Sequence, residues 1–421
     1  MLKKRIRLLF LLFSVVLFVL YALYITKATD NDDDKFLSMV QEDAFYYFWE
    51  NVNSKYGLIA DSSRTDAPSS IAAVGFGLTA VCIAVERNWI TTEDAYLRIL
   101  KTLKYFYKKA PHVKGFYYHF VKMSDGSRAW NSEVSSIDTA IFIAGALTCA
   151  EYFKNTEIDD VANKIYERVD WQWMLNGRDV LCMGWKPEKG FLPYYWDHMS
   201  ELMVLYALAI GSPTYPIPEE CWDAWKRPVG TYGTHEFVFC PTGSLFVYQY
   251  SHAWIDFRYI RDSHADYWEN SVRATLANRQ FCMDASKKFK GYGKYSWGLT
   301  ACVGPFGYKG YGGGPGIPYH DGTIAPSAVA GSVPFAPDIC IQTLKNMYKK
   351  SSPKIYGKYG FVNGYNQDRD WVAAEFLGID TGITLLMIEN HRTGLIWNYF
   401  MRHPAVKKWV NMCMKPKEVI F

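Results

Sequence analysis

Two kinds of apolar pattern alternate along this chain. In the first, apolar residues recur every three or four positions with charged residues between them. That is the spacing of a helix with one face buried. It occurs in FLSMVQEDAFYYFWENV from Phe36, TTEDAYLRILKTLKYFYKKA from Thr91 and DDVANKIYERVDWQWML from Asp159. ADYWENSVRATLANRQFCM from Ala265 and GLIWNYFMRHPAVKKWV from Gly394 repeat it. Thr91, Thr92, Glu93 and Asp94 also supply a capping start. In the second pattern nearly every residue is apolar or small. SSIAAVGFGLTAVCIAV from Ser69, SSIDTAIFIAGALTCA from Ser135 and SELMVLYALAIG from Ser200 show it, with weaker examples near Ser244, Pro326 and Gly378. A helix apolar all round is covered on every side. Outer amphipathic helices alternating with about six inner apolar ones predict an all-α fold, an (α/α)6 toroid or barrel. The stretches 110–134, 176–199, 227–245 and 285–325 are rich in Gly, Pro and aromatics. They read as long loops over one end, where a site is usually built. Short strands are expected there, as in GFYYHFV from Gly115.

The N-terminus is different. Lys3, Lys4, Arg5 and Arg7 precede an apolar run from Leu8 to Ile25 that only Ser14 interrupts. At about 1.5 Å of rise per residue the run is long enough to cross a bilayer. Residues 1–26 therefore read as a membrane anchor or a signal sequence, 27–35 as a polar linker, and 36–421 as one catalytic domain. Basic residues before the run and acids after it place the body outside the cytoplasm, in the periplasm or at the cell surface. The membrane is then a partner through this helix.

Charge excludes one class of function. The net charge of +4 comes entirely from the four basic residues before the run, which leaves 42 basic against 42 acidic side chains. A neutral body has no electrostatic reason to bind nucleic acid. The nine cysteines are scattered and contain no C-x-x-C, so neither a zinc site nor a dense disulfide framework is expected. Aromatic residues make up 17% of the chain, enough to serve both core packing and the stacking of sugar faces.

Candidate chemistry gathers at the starts of the inner helices. Glu133 and Asp138 flank the start at Ser135, Asp197 and Glu201 lie at the third inner helix, and Asp380 opens the last, with Glu389 near its far end. Helix capping alone accounts for any one of these acids. Several at converging ends fit glycoside hydrolysis, which needs two carboxyl groups across the scissile bond. Glu201 follows the aromatic run Tyr194, Tyr195 and Trp196, and partial burial there would raise its pKa. His198, His252 and His320 are less specific, and KGYGGGPG from Lys309 lacks the ending of a phosphate-binding loop. The catalytic candidates are Glu201, Asp138, Glu133 and Asp380. Trp196, Tyr250, His252 and Trp254 are candidates for sugar subsites, with Asp197, Asp321 and Asn363 as further substrate contacts.

The segments SSIAAVGFGLTA, GFYYHFV, SEVSSIDTA, GSPTYPIP, QYSHAWIDFR, DGTIAPSAVAGSVPFAP and LGIDTGITLLMIENHRTGLIWNYFMR resemble the bacterial glycoamylase-like domain family. They run collinearly over about residues 40–405. The resemblance implies an (α/α)6 fold and an inverting mechanism, as in endo-β-1,2-glucanases, with Glu201 as proton donor. It implies no metal or organic cofactor. Relatives often read G-F-x-D-A-F where this chain has Gly360, Phe361, Val362, Asn363, Gly364 and Tyr365. Asn363 cannot act as a carboxylate base, so either another acid takes that role, with Asp138, Glu133 and Asp380 as candidates, or hydrolysis is weak or absent. The expected activity is hydrolysis of a glucan or oligosaccharide, foremost a β-1,2-linked one. An α-glucan hydrolase of the glucoamylase type and a glycan-binding protein without catalysis are the alternatives.

Overall fold

The computed structural model describes residues 31–350 and 354–417. The apolar run Leu8–Ile25 lies outside them. Among the described residues no helix is long and apolar enough to cross a membrane. The chain divides into Met1–Val40 and Gln41–Phe421. In the first unit residues 31–40 are helical, so the polar stretch expected as a linker ends in helix. Its exposed charged side chains suit a solvated helix as well as a linker.

The second unit contains, in order, α1 (41–50), α2 (Ile71–Glu86), α3 (Thr92–Lys108), α4 (Ser136–Tyr152), α5 (Glu157–Glu167), α6 (Trp171–Leu175) and α7 (Met203–Gly211). Then come α8 (Cys221–Ala224), α9 (Tyr267–Asp284), α10 (Pro326–Ala330), α11 (Pro337–Tyr348), α12 (Gly378–Arg392), α13 (Leu395–Phe400) and α14 (Pro404–Cys413). The two sequence patterns separate as expected. In α2, α4, α7 and α12 nearly every residue is buried. By contrast α3 buries Ala95, Ile99, Leu103 and Phe106 along one face and leaves the other to solvent. Between α2 and α4 the backbones touch. A Cβ on Gly145 would lie 2.1 Å from the Gly75 carbonyl oxygen, so only glycine allows this approach. On its other side α2 meets α12, and α4 meets α7, while α3, α5 and α14 pack outside them.

Several boundaries differ from the periodic reading, each for a local reason. The helix expected from Asp159 stops at Glu167, and Asp170 caps a separate α6 through Trp173 N–H at 3.0 Å. The helix expected from Gly394 breaks into α13 and α14, because Pro404 fits only a first helical turn and His403 caps it. Near Ser244 the chain forms two short 3-10 turns, Leu245–Tyr248 and Ser251–Ala253, instead of an inner α-helix. The third inner helix begins at Met203, which leaves Glu201 in the turn before it.

Among the described residues there are eight antiparallel sheets of two or three strands, and some of them tie the loops to the helix starts. Ser69–Ser70 pairs with Phe120–Val121 and leads straight into α2. Val134–Ser135 pairs with Gly184–Lys186 and leads into α4. Leu377, bridged to Ser62, precedes α12. Ser70 and Ser135 then cap their helices through Ala73 N–H and Asp138 N–H, each cap worth about 1 kcal/mol. All nine cysteines are free, and eight are buried like small hydrophobes.

Candidate active site

The tied helix starts border a cavity of about 580 Å³. Ser70 reaches it from the cap of α2 and Ala72 from its first turn, Asp138 and Ile141 from α4, and Ile379 from α12. The turn before α7 contributes Glu201. Much of the remaining wall is apolar, with Phe120, Trp130, Phe246, Tyr250 and Tyr308 among its residues. Aromatic walls with a few convergent polar groups are the usual form of a small-molecule site.

Glu201 is half-buried, and the part that is accessible faces this cavity. Burial pushes its carboxyl up to about 7; its own backbone N–H opposes the rise and the charge of Asp138 adds to it. An acid with that pKa keeps a proton to give at neutral pH. The turn is fixed from Ser251, whose hydroxyl donates to Glu201 O at 2.7 Å and accepts from Val204 N–H at 3.0 Å.

Asp138 sits in the first turn of α4 and is buried against the cavity. The Ser135 hydroxyl donates to its Oδ2 at 2.5 Å. His119 Nε2 lies 3.5 Å from its Oδ1, and on the far side of the ring His119 Nδ1 lies 3.0 Å from Glu133 Oε1. An imidazole between two carboxylates carries protons on both nitrogens. Burial alone would lower the His119 pKa, but Asp138, Glu133 and Asp61 together outweigh it and bring the group to about 9. The His119 hydrogen bond, against burial, holds Glu133 below the usual range. Glu133 therefore supports the histidine and is not itself among the cavity-lining residues. Asp61 is among them; burial raises it to about 6, with His119 lowering and Asp138 raising.

Other candidates take up places within the fold. Asp380 lies behind the cavity wall. Its Oδ1 accepts from Ser327 at 3.0 Å and its Oδ2 from Asn363 Nδ2 at 2.6 Å. Burial lifts it to about 7 despite both bonds. Asn363 is buried too, and its Oδ1 accepts Val303 N–H at 2.7 Å, so both ends of the amide are committed. Trp196 donates to Ser136 Oγ at 2.8 Å and Trp254 to Thr79 Oγ1 at 3.2 Å, both as core residues. His252 is fully buried on Ser271 at 3.0 Å, and burial depresses it to about 3. Asp321 accepts from the N–H and hydroxyl of Thr323, bracing a turn. Asp197 is a half-exposed partner of His198 at 2.8 Å. Of the aromatic subsite candidates, Tyr250 lines the cavity, edge-on to Phe76.

Asp61, His119 and Trp130 were not singled out from the sequence. Each comes from a loop, and the bridge of Tyr118 to Val134, with His119 N–H donating to Glu133 O at 2.8 Å, carries His119 beside Asp138. The only sequence signal was the aromatic run around His119 itself.

A helical scaffold whose loops close over one cavity lined with acids is the form of a carbohydrate-active domain. Residues 193–404 match the family model described as "Putative glucoamylase", and the chain belongs to this glycoamylase family. It is similar to a Bacteroides uniformis structure of the same description, with 31% identity, a TM-score of 0.86, and coverage of 91% of this chain and 98% of that one. An endo-β-1,2-glucanase from Chitinophaga pinensis, solved with sophorotriose and glucose, shares 29% identity at a TM-score of 0.83. That likeness covers 91% of this chain and 98% of the glucanase. Among curated proteins, an exo β-1,2-glucooligosaccharide sophorohydrolase from Parabacteroides distasonis is 29% identical over 90% of this chain. The match spans 57% of that relative's length.

Proposed function

We propose that this chain is a glycoside hydrolase acting on β-1,2-linked glucan by an inverting mechanism. Glu201 protonates the leaving oxygen, and Asp138 accepts the proton of the attacking water. The observation that carries the reading is the pairing of a half-buried acid, raised to about 7, with a second carboxyl lining the same cavity. The second is backed by a charged histidine. Protonation and water activation need groups set apart in this way. The Chitinophaga and Parabacteroides relatives support the linkage.

The same reading takes residues 36–421 as the catalytic domain and its scaffold as an (α/α)6 toroid. In support, α12, α2, α4 and α7 follow one another as buried neighbours, and α10 also packs on α12. Tyr250 and Asp61 contact sugar, and Asn363 and Asp380 hold each other behind the wall. The protein works outside the cytoplasm, held or exported by Leu8–Ile25.

The test is to incubate the purified protein with defined α- and β-linked glucans and identify the products and their initial anomer. Release of β-1,2-gluco-oligosaccharides with an initially inverted anomer is expected. Products from α-linked glucan alone would point to the glucoamylase-type reaction, and binding without products to a glycan-binding protein.

A further inference from the structure

Trp130 is a large apolar side chain that the fold does not bury. It is 69% exposed and lines the cavity. Its ring meets Phe120 at a centroid distance of 4.9 Å. Phe120 in turn stacks on His119, at 3.9 Å and 17°. A continuous aromatic surface therefore runs from the open edge of the cavity to the histidine beside Asp138.

The backbone beneath this ring is in a conformation a tryptophan does not favour. Trp130 has φ +53° and Asn131 φ +50°. Ser132 N–H donates to Ala129 O at 3.0 Å, closing a four-residue turn. Two central residues with positive φ and that bond make a type I′ turn, which ordinarily uses Asn-Gly. Asparagine suits its position, whereas the tryptophan Cβ crowds the backbone in this region. Arg128 clamps the turn. Its Nε donates to Ser132 O at 2.5 Å, one guanidinium nitrogen donates to Asn131 O at 2.9 Å, and Glu188 holds the rest of the group. The strained backbone disfavours the folded state, and the exposed indole, touching Phe120 alone among the aromatic rings, returns little burial for it.

We propose that Trp130 is a sugar-stacking platform, a preset subsite at the edge of the cavity that grips a glucose unit of longer glucan chains. This rests on the glucan-hydrolase reading. A glucose ring offers a flat C–H face to an indole, and the clamped turn means that no order need be created on binding. Chain length then matters. A disaccharide seated at the acids does not depend on Trp130, and longer chains do.

Calorimetric titration of the full chain carrying Glu201→Gln, which can bind without turnover, tests this. The ligands are β-1,2-gluco-oligosaccharides of increasing length. Adding Trp130→Gly should weaken the longest ligands by about tenfold and the shortest by less than about twofold. Trp130→Phe should recover most of the difference. Because glycine accepts the positive φ, the thermal midpoint should stay within about 2 °C. Affinity left unchanged by Trp130→Gly at every length would overturn the proposal. So would a uniform loss accompanied by a large fall in midpoint. If the protein with Trp130 intact binds another glucan series instead, the linkage reading fails, and the same length comparison on that series decides the case of Trp130. Binding of no glucan at all would remove both.

Discussion

The stretch Glu133-Val-Ser-Ser-Ile-Asp138-Thr139 and the stretch Glu375-Phe-Leu-Gly-Ile-Asp380-Thr381 share a glutamate, an isoleucine, an aspartate and a threonine at the same spacing. Each places an aspartate in the first turn of a buried helix, where orphan N–H groups favour a carboxylate. Each presents its isoleucine, Ile137 or Ile379, to the cavity. The acids differ. In the first stretch Asp138 lines the cavity and Glu133 stands behind it on His119. In the second Glu375 lines the cavity, and Asp380, which is not among the lining residues, is held by Ser327 and Asn363. The cap explains part of this. Ser135 caps α4 and also holds Asp138, whereas Leu377 at the same position of α12 offers no side-chain cap. Asp380 is satisfied by neighbouring elements instead. Helix position alone does not mark a reacting acid; the partners that open or close its path to the cavity do.

The largest test of this difference is to neutralise each aspartate. Asp138→Asn should lower turnover on β-1,2-glucan by about 10²–10⁴-fold, the range of lost acid–base catalysis. Asp380→Asn should change it by less than about tenfold, since that acid does not line the cavity. The reverse order of effects in steady-state rates would break the comparison.

Asn363→Asp comes next. It would set a second carboxyl 2.6 Å from Asp380 in a buried place. We expect a loss of about 2–4 kcal/mol in denaturant unfolding at pH 8 and no gain in turnover. The loss should shrink at pH 5, where Asp380, raised to about 7, is protonated in the fold. A more active variant would return Asn363 to the reacting groups.

His119→Gln sharpens the first half of the comparison. Without the imidazolium the cavity acids lose a charge that favours their ionised forms, so the acidic limb of kcat/KM should move to higher pH. Each unit of movement lowers the rate below the limb about tenfold. A uniform loss with an unmoved profile would reduce His119 to a packing role.

The smallest effect is on stability. Asp61, Glu201 and Asp380 are raised to about 6, 7 and 7. Between about pH 4 and 7 the folded state keeps protons that the unfolded chain has released, so stability falls as pH rises. His119, raised to about 9, keeps its proton from about pH 6.5 to 9 and acts in the same direction. The thermal midpoint should therefore decline from pH 5 to pH 9. Asp380→Asn should flatten the lower part of that decline and His119→Gln the upper. An unchanged slope in both variants would contradict the assigned shifts.

The sequence made the helices legible because burial all round and burial on one face leave different periodicities, as α2 and α3 illustrate. It also led to Glu201, Asp138 and Tyr250, which line the cavity. It could not tell which way a side chain turns. Trp196, His252 and Trp254 sit among aromatic neighbours in the sequence, yet each points into the core and finds a hydroxyl there. Asp61 and His119 depend on strand and bridge pairings between segments far apart in the chain, which no local pattern records. Glu201 itself stands before its helix, because Ser251 holds the preceding turn.

The most direct measurement concerns Glu201→Gln. The substitution keeps shape and hydrogen bonding and removes the proton that can be transferred. Rates on a β-1,2-gluco-oligosaccharide and on its glycoside with an activated aryl leaving group should be taken from one preparation, together with glucan affinity and thermal midpoint. The expected result is a fall of about 10²–10⁴-fold on the oligosaccharide, a much smaller fall on the aryl glycoside, and affinity within a few-fold. A folded Glu201→Gln protein with wild-type turnover on the oligosaccharide would contradict the account.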